Sequence, residues 1–330
     1  MIRYIIKRIF MLIPVLIGVI FIVFSINFIS PSDPVTSIVG EDATLEQREA
    51  IRESLGLNDP FLVQFGRYLF GVATRFDLGD DYITGRPVRD EVLERLPITL
   101  TLSFVSLAVA GILGIVLGII SATKQYSILD YLSTLFALIA SSMPVFWIGL
   151  MLMLAFSLKL NWFPSTVEMG VVSIKSWILP VATIALNALA VITRNTRSSM
   201  LEVIRQDYIT TARAKGLPES RVISCHALKN ALIPVITVIG VQIGRTIGNS
   251  VVTETIFTIP GIGSLMVTAV KQSNFEVVQG CVLIIAICFS VVNLLVDLLY
   301  AFLDPRIKGQ YVKRSRPVLR SAAKEGVDAA

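Results

Sequence analysis

Three polar side chains stand inside long apolar runs and are the first candidates for chemistry in this sequence. Arg245 lies near the middle of one run, with Asn249 one helical turn further on, and Asp297 lies in the last run. Ionisable groups among apolar residues are costly and are usually either paired or functional. If Arg245 faces a polar pathway, it would hold an anionic group such as a peptide carboxylate. The alternative is a structural role, in which Arg245 forms an ion pair or extends its side chain to water. We expect Asp297 to pair with an arginine rather than to relay protons.

The residues that catalysis by the chain itself would need are missing. No GK dipeptide occurs, so there is no Walker A loop for nucleotide hydrolysis. His226 is the single histidine and has no carboxylates and cysteines at metal-ligand spacing, so we expect a surface or helix-end residue. Cys225, Cys281 and Cys288 form no CxxC motif and are expected to be packing residues. We therefore expect no metal and no cofactor in this chain, and a membrane enzyme is the least favoured interpretation.

The composition is that of an integral membrane protein. The chain has 330 residues, of which 54% are hydrophobic and only 16% charged, and its mean hydropathy is +0.74. A soluble domain of this size needs more charge to cover its surface. We predict an all-α fold with about six transmembrane helices, at Ile9–Ile29, Ile98–Ile120, Leu132–Ser157, Trp177–Thr193, Ile233–Thr253 and Val278–Phe302. The first is expected to be an anchor, because its apolar run is longer than a signal-peptide core.

Basic and acidic residues concentrate in different segments between the predicted spans. Lys and Arg cluster before the first span, between the fourth and fifth, and after the sixth, whereas acids cluster between Asp33 and Glu94. The positive-inside rule then places both termini and residues 194–230 in the cytoplasm. The predicted regions are an N-terminal transmembrane helix (1–30), an extracytoplasmic cap region (31–95), a transmembrane core (96–303) with a cytoplasmic loop (194–232), and a basic tail (304–330) that we expect to be disordered.

Local signals predict a helix boundary, a turn and several close helix contacts. Thr44 and Gln47 resemble a capping box, and Gly56 would end the helix that they start. Pro260-Gly261 marks a sharp turn between the last two spans. Glycines recur every four residues in the second and fifth spans, which indicates close helix packing or, alternatively, a lining of the pathway. These glycines are Gly114, Gly118, Gly240, Gly244 and Gly248.

A short basic stretch, the basic segment (Tyr208–Arg221), lies between the fourth and fifth spans and reads YITTARAKGLPESR. Gly216-Leu217-Pro218 divides it, because glycine ends helices and proline starts them, so we predict a helix, a turn and a second helix leading into the fifth span. Ala212 and Ala214 would keep the surface low enough for another protein to approach. The nearby basic side chains would orient that partner or contact inner-leaflet phospholipids. A docking surface and an ordinary solvated loop are equally favoured by these residues alone.

The basic segment resembles the cytoplasmic EAA-type loop of ABC importer permeases, and most of all the dipeptide/oligopeptide branch. The resemblance extends along nearly the whole chain, as far as Lys308, and FDLG at Phe76–Gly79 is similar to that branch's GDLG motif. The other matching stretches are Tyr208, Thr211–Leu217, His226-Ala227-Leu228, Asn230-Ala231, Pro234, Glu254–Phe257, Pro260–Gly263 and Val292–Lys308.

That resemblance implies a type I ABC importer permease fold and a subunit that is not itself an enzyme. Its partners would be a second homologous permease, two cytoplasmic ATPase subunits that bind ATP and Mg, and an extracytoplasmic substrate-binding protein. Membrane lipid would surround it, and no nucleic acid is expected as a partner. Its location would be a bacterial or archaeal plasma membrane. The residues that would couple it to the ATPases are Tyr208, Thr211, Ala212, Arg213, Ala214, Lys215, Gly216 and Leu217. Among these, Ala212 would make the close contact and Gly216 the turn. Arg245, Asn249 and Glu254 are candidates for the pathway or substrate, and Pro260 and Gly261 for the outer loop.

Three departures from the family's patterns are visible in this sequence. Thr210-Thr211-Ala212 stands at the position usually written EAA, as is common in the peptide branch, so no acidic residue anchors it there. Asn274-Phe275-Glu276 stands where many relatives have an Asp-aromatic-Pro sequence, and Arg245 is basic where the branch is not expected to be. Arg245 is therefore the candidate for substrate discrimination. Nickel chelates or glutathione remain alternative cargoes to peptides, and a secondary transporter or channel acting alone is the alternative from another class.

Overall fold

The computed structural model describes residues 2–30, 34–40, 43–167 and 173–303, and these form helices with a single isolated β-bridge, between Asp80 and Pro87. The predicted disordered tail lies outside the described residues. The helices are α1 (Ile2–Ile29), α2 (Pro34–Val39), α3 (Leu45–Ser54), α4 (Phe61–Arg75), α5 (Val88–Thr123), α6 (Ile128–Ser142), α7 (Val145–Leu152), α8 (Ile174–Ile204), α9 (Asp207–Ala214), α10 (Glu219–Arg221), α11 (Leu228–Ile256), α12 (Ile262–Lys271) and α13 (Phe275–Leu303). Short π-helical stretches, Met153–Lys159 and Val222–Ala227, extend α7 and α10.

Among the described residues, five continuous helical segments are long and apolar enough to cross a membrane, which confirms the all-helical membrane fold. They contain α1, α5, α8, the continuous run from α10 through α11, and α13. Several are longer than predicted: α5 begins at Val88 and α8 runs on to Ile204, well past the predicted ends of those spans. The extensions carry polar residues, which the apolar run alone does not include.

The span predicted at Leu132–Ser157 is sharply broken in the structure. The chain breaks between α6 and α7, and the two helical halves are bent by 107° at the break. Met143 is extended (φ −88°, ψ 135°) and Pro144 precedes the first residue of α7. The ring of a proline disfavours helical backbone at the residue before it, so Met143 ends α6. This helix pair is either one broken span, the third along the chain, which would bring the total to six, or a re-entrant hairpin.

Helix α8 lies at the centre of the bundle and packs against α5, α6, α7 and α11. The glycines confirm close packing at four positions. A Cβ at Gly114 would lie 2.9 Å from Ile192 of α8, and one at Gly118 would overlap Thr196. Added Cβ atoms at Gly240 and Gly244 would overlap Val296 and Phe289 of α13. Gly248, by contrast, faces open space and is exposed.

The cap region (residues 31–95) contains α2, α3, α4 and the loop that leads into α5. The Thr44 hydroxyl accepts a hydrogen bond from the Gln47 amide at 3.3 Å, and the Gln47 side chain accepts one from the Thr44 amide at 3.0 Å. The capping box is thus confirmed, and Gly56, at φ +65°, follows the end of α3 as expected. Edge-to-face rings from α1 and α4, among them Phe24 and Phe61, join the cap to the first span.

The ends of the first and last helices are joined by the ion pair that the sequence suggested for Asp297. Arg8 Nη1 lies 2.8 Å from Asp297 Oδ2, and both side chains remain partly exposed. Because exposed pairs contribute little free energy, this contact orients α1 against α13 rather than stabilising the fold strongly.

Candidate functional site: the basic segment and its supports

The basic segment folds as the sequence predicts, into a helix, a tight turn and a second helix. Helix α9 ends at Ala214, and Gly216 then adopts a left-handed backbone with φ +76°. Pro218 is extended and caps α10, which continues through the π-helical stretch into α11. Glycine supplies the left-handed conformation without a steric cost. The turn therefore fixes the angle between a short surface helix and a membrane-spanning one.

The two faces of α9 differ sharply in exposure. Ile209 is fully buried and Ala212 is 7% exposed, and both pack against Met200 of α8 and Val222, Ala227 and Ala231 of the following elements. The outward side carries the remaining candidates, which are exposed apart from the half-buried Leu217: Tyr208, Thr211, Arg213, Ala214, Lys215 and Gly216. Tyr208, Thr211 and Lys215 follow helical spacing and share one side of α9.

This arrangement revises the role expected for Ala212. A spacing of three residues places Ala212 on the same side as Ile209, and that side is turned toward α8. The small side chain allows a close approach, but the approaching surface is this chain's own bundle. Ala214 is exposed and keeps the low surface that was expected of both alanines.

Two hydrogen-bonded contacts hold the basic segment in place. Asn230 Nδ2 of α11 donates to the Tyr208 hydroxyl at 2.9 Å. Across the turn, Arg213 donates to both carboxylate oxygens of Glu219, at 3.1 and 2.7 Å. These hydrogen bonds to Glu219 raise the pKa of Arg213. Glu219 thus ties the end of α9 to α10 across the glycine turn, and it was not among the sequence candidates.

A buried ion pair ties α8 to the start of α6. Arg197 donates from Nε and Nη2 to the two carboxylate oxygens of Asp130, at 2.6 and 2.9 Å. Asp130 also accepts from the Ser121 hydroxyl and from the Tyr126 amide, the latter at 3.0 Å. Its side chain is 4% exposed and that of Arg197 28%. Bidentate, charge-assisted hydrogen bonds of this kind are among the strongest in proteins.

The ion pair continues the contacts of the basic segment into the bundle. Met200, which packs on α9, lies three residues beyond Arg197 on α8. Packing and hydrogen bonds therefore connect α9 to α8 and, through Asp130, connect α8 to α6 and the end of α5. Neither Arg197 nor Asp130 was among the sequence candidates, although an acid at the edge of an apolar run is a usable signal.

Of the candidate pathway residues, Arg245 and Asn249 lie where a pathway or a partner can reach them. Arg245 is exposed on α11, and its one polar contact among the described residues is a long 3.4 Å hydrogen bond to Gln242. Val241 and Gly248 are exposed on the same side of the helix, and Asn249 is half-buried. The ion pair that was the alternative for Arg245 is not formed within the described part of the chain.

Glu254 is corrected from a pathway candidate to a support of the outer turn. Its side chain is 0% exposed, and its Oε2 accepts from the amides of Gly263 at 2.7 Å and Ser264 at 3.2 Å. These amides belong to the first turn of α12, where unpaired N–H groups favour a negative charge. A Cβ at Gly261 would overlap the carboxylate. The turn at Pro260-Gly261 is therefore confirmed, and Glu254 fills it from inside.

The remaining sequence candidates, His226 and the three cysteines, differ in their burial. His226 is half-buried in the π-helical stretch before α11, Cys281 is buried in the core and Cys288 is half-buried. Cys225 is exposed, so the packing role predicted for it is wrong. Within the described residues, no group of three or more His, Cys, Asp or Glu side chains is placed to hold a metal ion.

The fold defines a multi-pass helical membrane protein with a short helix at its surface. Residues 114–309 match the family described as the binding-protein-dependent transport system inner membrane component, and residues 1–103 match the N-terminal family of the same transport systems. The chain belongs to this family of binding-protein-dependent transport permeases.

Relatives match over almost their whole length. The dipeptide transport system permease protein DppB of Alkalihalophilus pseudofirmus is 42% identical, with 93% of this chain and 100% of the relative covered. The oligopeptide transport system permease protein AppB of Bacillus subtilis has the same identity and coverage. The glutathione transport system permease protein GsiC of Escherichia coli O6:H1 is 39% identical, over 93% of this chain and 99% of the relative.

The fold has counterparts among solved transporters. The MetNI methionine ABC transporter in an inward-facing conformation aligns with a TM-score of 0.52 and 15% identity, over 64% of this chain and 96% of that one. At this identity the likeness concerns the fold alone, and it agrees with the type I ABC importer permease fold expected from the sequence.

Proposed function

We propose that the chain is the permease subunit of an ATP-driven importer for di- and oligopeptides, and that it forms half of the translocation pathway. The observation that carries the proposal is the exposed side of α9, which is held rigidly to α8 and α11 at a glycine turn. A chain without a Walker A loop needs such a surface to receive motion from a separate ATPase. The names of the DppB and AppB relatives support peptides as the cargo.

In this mechanism, partner subunits supply the energy and this chain supplies two conformations. Two ATPase subunits bind ATP and Mg and press on Tyr208, Thr211 and Lys215 as they close. The motion passes through Met200 and the Arg197–Asp130 ion pair to the spans, and ATP binding shifts the population between inward-open and outward-open states. A substrate-binding protein delivers peptide at the cap region, and both termini lie in the cytoplasm of a prokaryotic inner membrane.

A second homologous permease would cover the open side of α11 and complete the pathway. Val241, Arg245 and Gly248 are exposed in the single chain, and a charged residue there is costly against lipid. A heterodimer partner would enclose Arg245 in a polar pathway between the two subunits, while lipid covers the outer faces of α1 and α6. Glutathione is the second candidate cargo, because the GsiC relative is nearly as similar as the peptide permeases.

The assembly and its energy source are tested together. The tagged chain is purified from its host membranes, its copurifying subunits are identified, and the complex is reconstituted with its binding protein for uptake of a labelled dipeptide. We expect two ATPase subunits to copurify and uptake to require ATP. Uptake of the dipeptide by the chain alone, insensitive to ATP, would instead identify a secondary transporter.

Replacing Arg245 with glutamine is expected to change substrate preference. A charge-assisted hydrogen bond contributes about 1.5–3 kcal/mol, so the preference for peptides with a free carboxylate over C-amidated ones should fall roughly tenfold or more. Basal ATPase activity should stay unchanged, since Arg245 lies more than four turns into α11 and α9 packs near the start of that helix. Lys271→Gln, which removes an exposed cation at the end of α12, is the matched control. An unchanged uptake ratio in Arg245→Gln would remove this residue from the pathway.

A further inference from the structure

Helix α4 of the cap region has three sides of different character. At about 100° per residue, Phe61, Phe65 and Leu69 share the side that packs against α1 and the core. A second side is polar and carries Gln64 and Arg67. The third side lies between the other two and is apolar but exposed. This outer face consists of Leu62, Val63, Gly66, Phe70 and Ala73.

The outer face of α4 is left largely uncovered by the described part of the chain. Leu62 is 74% exposed, Phe70 67% and Val63 50%. Gly66, between them, has no atom within 4 Å of the position that a Cβ would take. Adjacent exposed apolar side chains mark a contact with a partner or a membrane. The outer face therefore calls for an occupant from outside the chain.

The contacts of α4 with α1 fix its depth relative to the membrane. The centre of the Phe61 ring lies 5.8 Å from that of Phe21 and 5.2 Å from that of Phe28. Phe21 and Phe28 belong to the half of the apolar run Arg8–Ile29 that is nearer the cap region. About 20 apolar residues in a helix span the hydrocarbon core of a bilayer. Helix α4 is therefore level with the leaflet on the cap's side of the membrane and does not stand clear of it.

The outer face adjoins a surface of α1 that itself contacts lipid. Ile22 and Ile26 are 58% and 62% exposed on a helix that is long and apolar enough to span the membrane. Phe21 joins this surface to α4, because its ring contacts those of Phe61 and Phe65 while 46% of the residue stays exposed. Lipid that covers α1 therefore also reaches α4.

The polar side of α4 points toward the loop that precedes the helix. Gln64 Nε2 donates to the carbonyl oxygens of Leu57 and Asp59, at 2.9 and 2.7 Å. Arg67 forms an ion pair with the Asp59 carboxylate. These contacts turn the polar side to the cap loop and leave the outer face pointing elsewhere. A helix with one polar side and an apolar side that the protein does not bury is typical of elements that lie in the membrane interface.

A soluble partner fits the outer face less well than lipid does. At the depth of Phe21, a water-soluble substrate-binding protein would have to displace acyl chains from the surface of α1. A second permease subunit is the other occupant that lies within the membrane. The continuity of the outer face with the exposed side of α1 favours lipid over such a subunit.

We propose that α4 lies in the membrane interface and that Leu62, Val63 and Phe70 insert among the acyl chains of the phospholipid leaflet on the cap's side. Part of the region expected to form an extracytoplasmic cap is thus a lipid-contacting element that anchors the cap beside α1. The leaflet is the outer one in the orientation proposed above. The lipid contact itself depends neither on that orientation nor on the cargo.

Spin labels on the outer face test the proposal in the full-length protein. The native cysteines are replaced (Cys225→Ser, Cys281→Ala, Cys288→Ala), and one new cysteine is added as Leu62→Cys, Gly66→Cys or Phe70→Cys. Each protein is labelled in nanodiscs of phosphatidylethanolamine and phosphatidylglycerol, and collisions of the label with oxygen and with a water-soluble nickel chelate are measured by electron paramagnetic resonance. Oxygen concentrates among acyl chains, whereas the chelate stays in water.

Two matched positions calibrate the measurement. Ile26→Cys reports the lipid-facing side of α1, and Glu46→Cys reports an exposed position on the polar helix α3. We expect Leu62→Cys and Phe70→Cys to follow Ile26→Cys, with oxygen collisions exceeding chelate collisions, and Glu46→Cys to show the reverse order. Gly66→Cys provides a third reporter, because the structure has room for its side chain. The melting temperature of each labelled protein should match that of the cysteine-free chain, since the labelled side chains are exposed.

Two results would overturn the proposal. Chelate collisions that exceed oxygen collisions at Leu62→Cys and Phe70→Cys would place the outer face in water. Low collision rates with both reagents, in the chain alone or only in the complex with its copurified subunits, would show that protein covers the face. ATP-driven uptake by the wild-type complex is scored separately and tests the import function alone.

Discussion

Valine in place of Gly216 is expected to abolish ATP-driven uptake while the chain still inserts into the membrane. Gly216 has φ +76°, a conformation that costs an ordinary residue about 1–2 kcal/mol and a β-branched residue more. No atom lies within 4 Å of the position that its Cβ would take, so the strain comes from the backbone alone. The turn relieves that strain by opening, which changes the angle between α9 and α10 and displaces Tyr208 and Thr211 from their docking positions.

Gly216→Asn is the matched control, because asparagine tolerates the left-handed backbone better than other side chains do. We expect it to retain most of the uptake, whereas Gly216→Val falls to background. Uptake into proteoliposomes and copurification of the ATPase subunits are the measurements. Transport by Gly216→Val at the wild-type rate, or equal damage by both substitutions, would show that the turn conformation does not control coupling.

The basic segment was predictable because its signals are local. Gly216 and Pro218 set a helix end and a helix start within three residues, and the capping box at Thr44 is similarly short-range. The orientation of α9 was not predictable in the same way. Whether Ala212 faces a partner or the chain itself depends on where α8 and α11 lie, and those helices are remote in the sequence.

Proline shows why the broken third span was missed. Pro14, Pro97, Pro180 and Pro234 all lie inside helices that continue through them, as membrane-spanning helices tolerate. Pro144 ends a helix instead, because Met143 before it is extended. A proline in an apolar run therefore permits a break without requiring one, and only packing decides.

The partners of buried charged residues were harder to predict than the arginine partner of Asp297. Glu254 was a candidate through the family resemblance, yet its partners are backbone amides, which have no sequence signature. Asp130 pairs with Arg197, 67 positions away, and that separation is invisible without the fold. The cost of an ionisable group among apolar residues can mark such a residue as significant, but it cannot distinguish a structural support from a contact with substrate.

Replacing Asp130 with alanine is expected to destabilise the protein and to stop transport. The change leaves the mostly buried Arg197 without its carboxylate, together with the Ser121 hydroxyl and the Tyr126 amide. Breaking a buried pair by removing one partner costs about 3–5 kcal/mol, and the partial exposure of Arg197 favours the lower end. The melting temperature in detergent should fall by several degrees. Asp59→Ala is the control, because it breaks an exposed pair with Arg67 that contributes about 1 kcal/mol or less.

The double variant Asp130→Leu with Arg197→Met separates the two roles of this ion pair. Removing both charges together leaves no unpaired ion, and apolar replacements of similar volume are often neutral or stabilising, so the melting temperature should return to near the wild-type value. If the pair transmits motion from α9 through α8 to α6, uptake stays low in this stable protein while ATPase subunits still copurify. Full recovery of uptake would show that the ion pair only holds the fold. A melting temperature in Asp130→Ala equal to that of the wild type would exclude even that role.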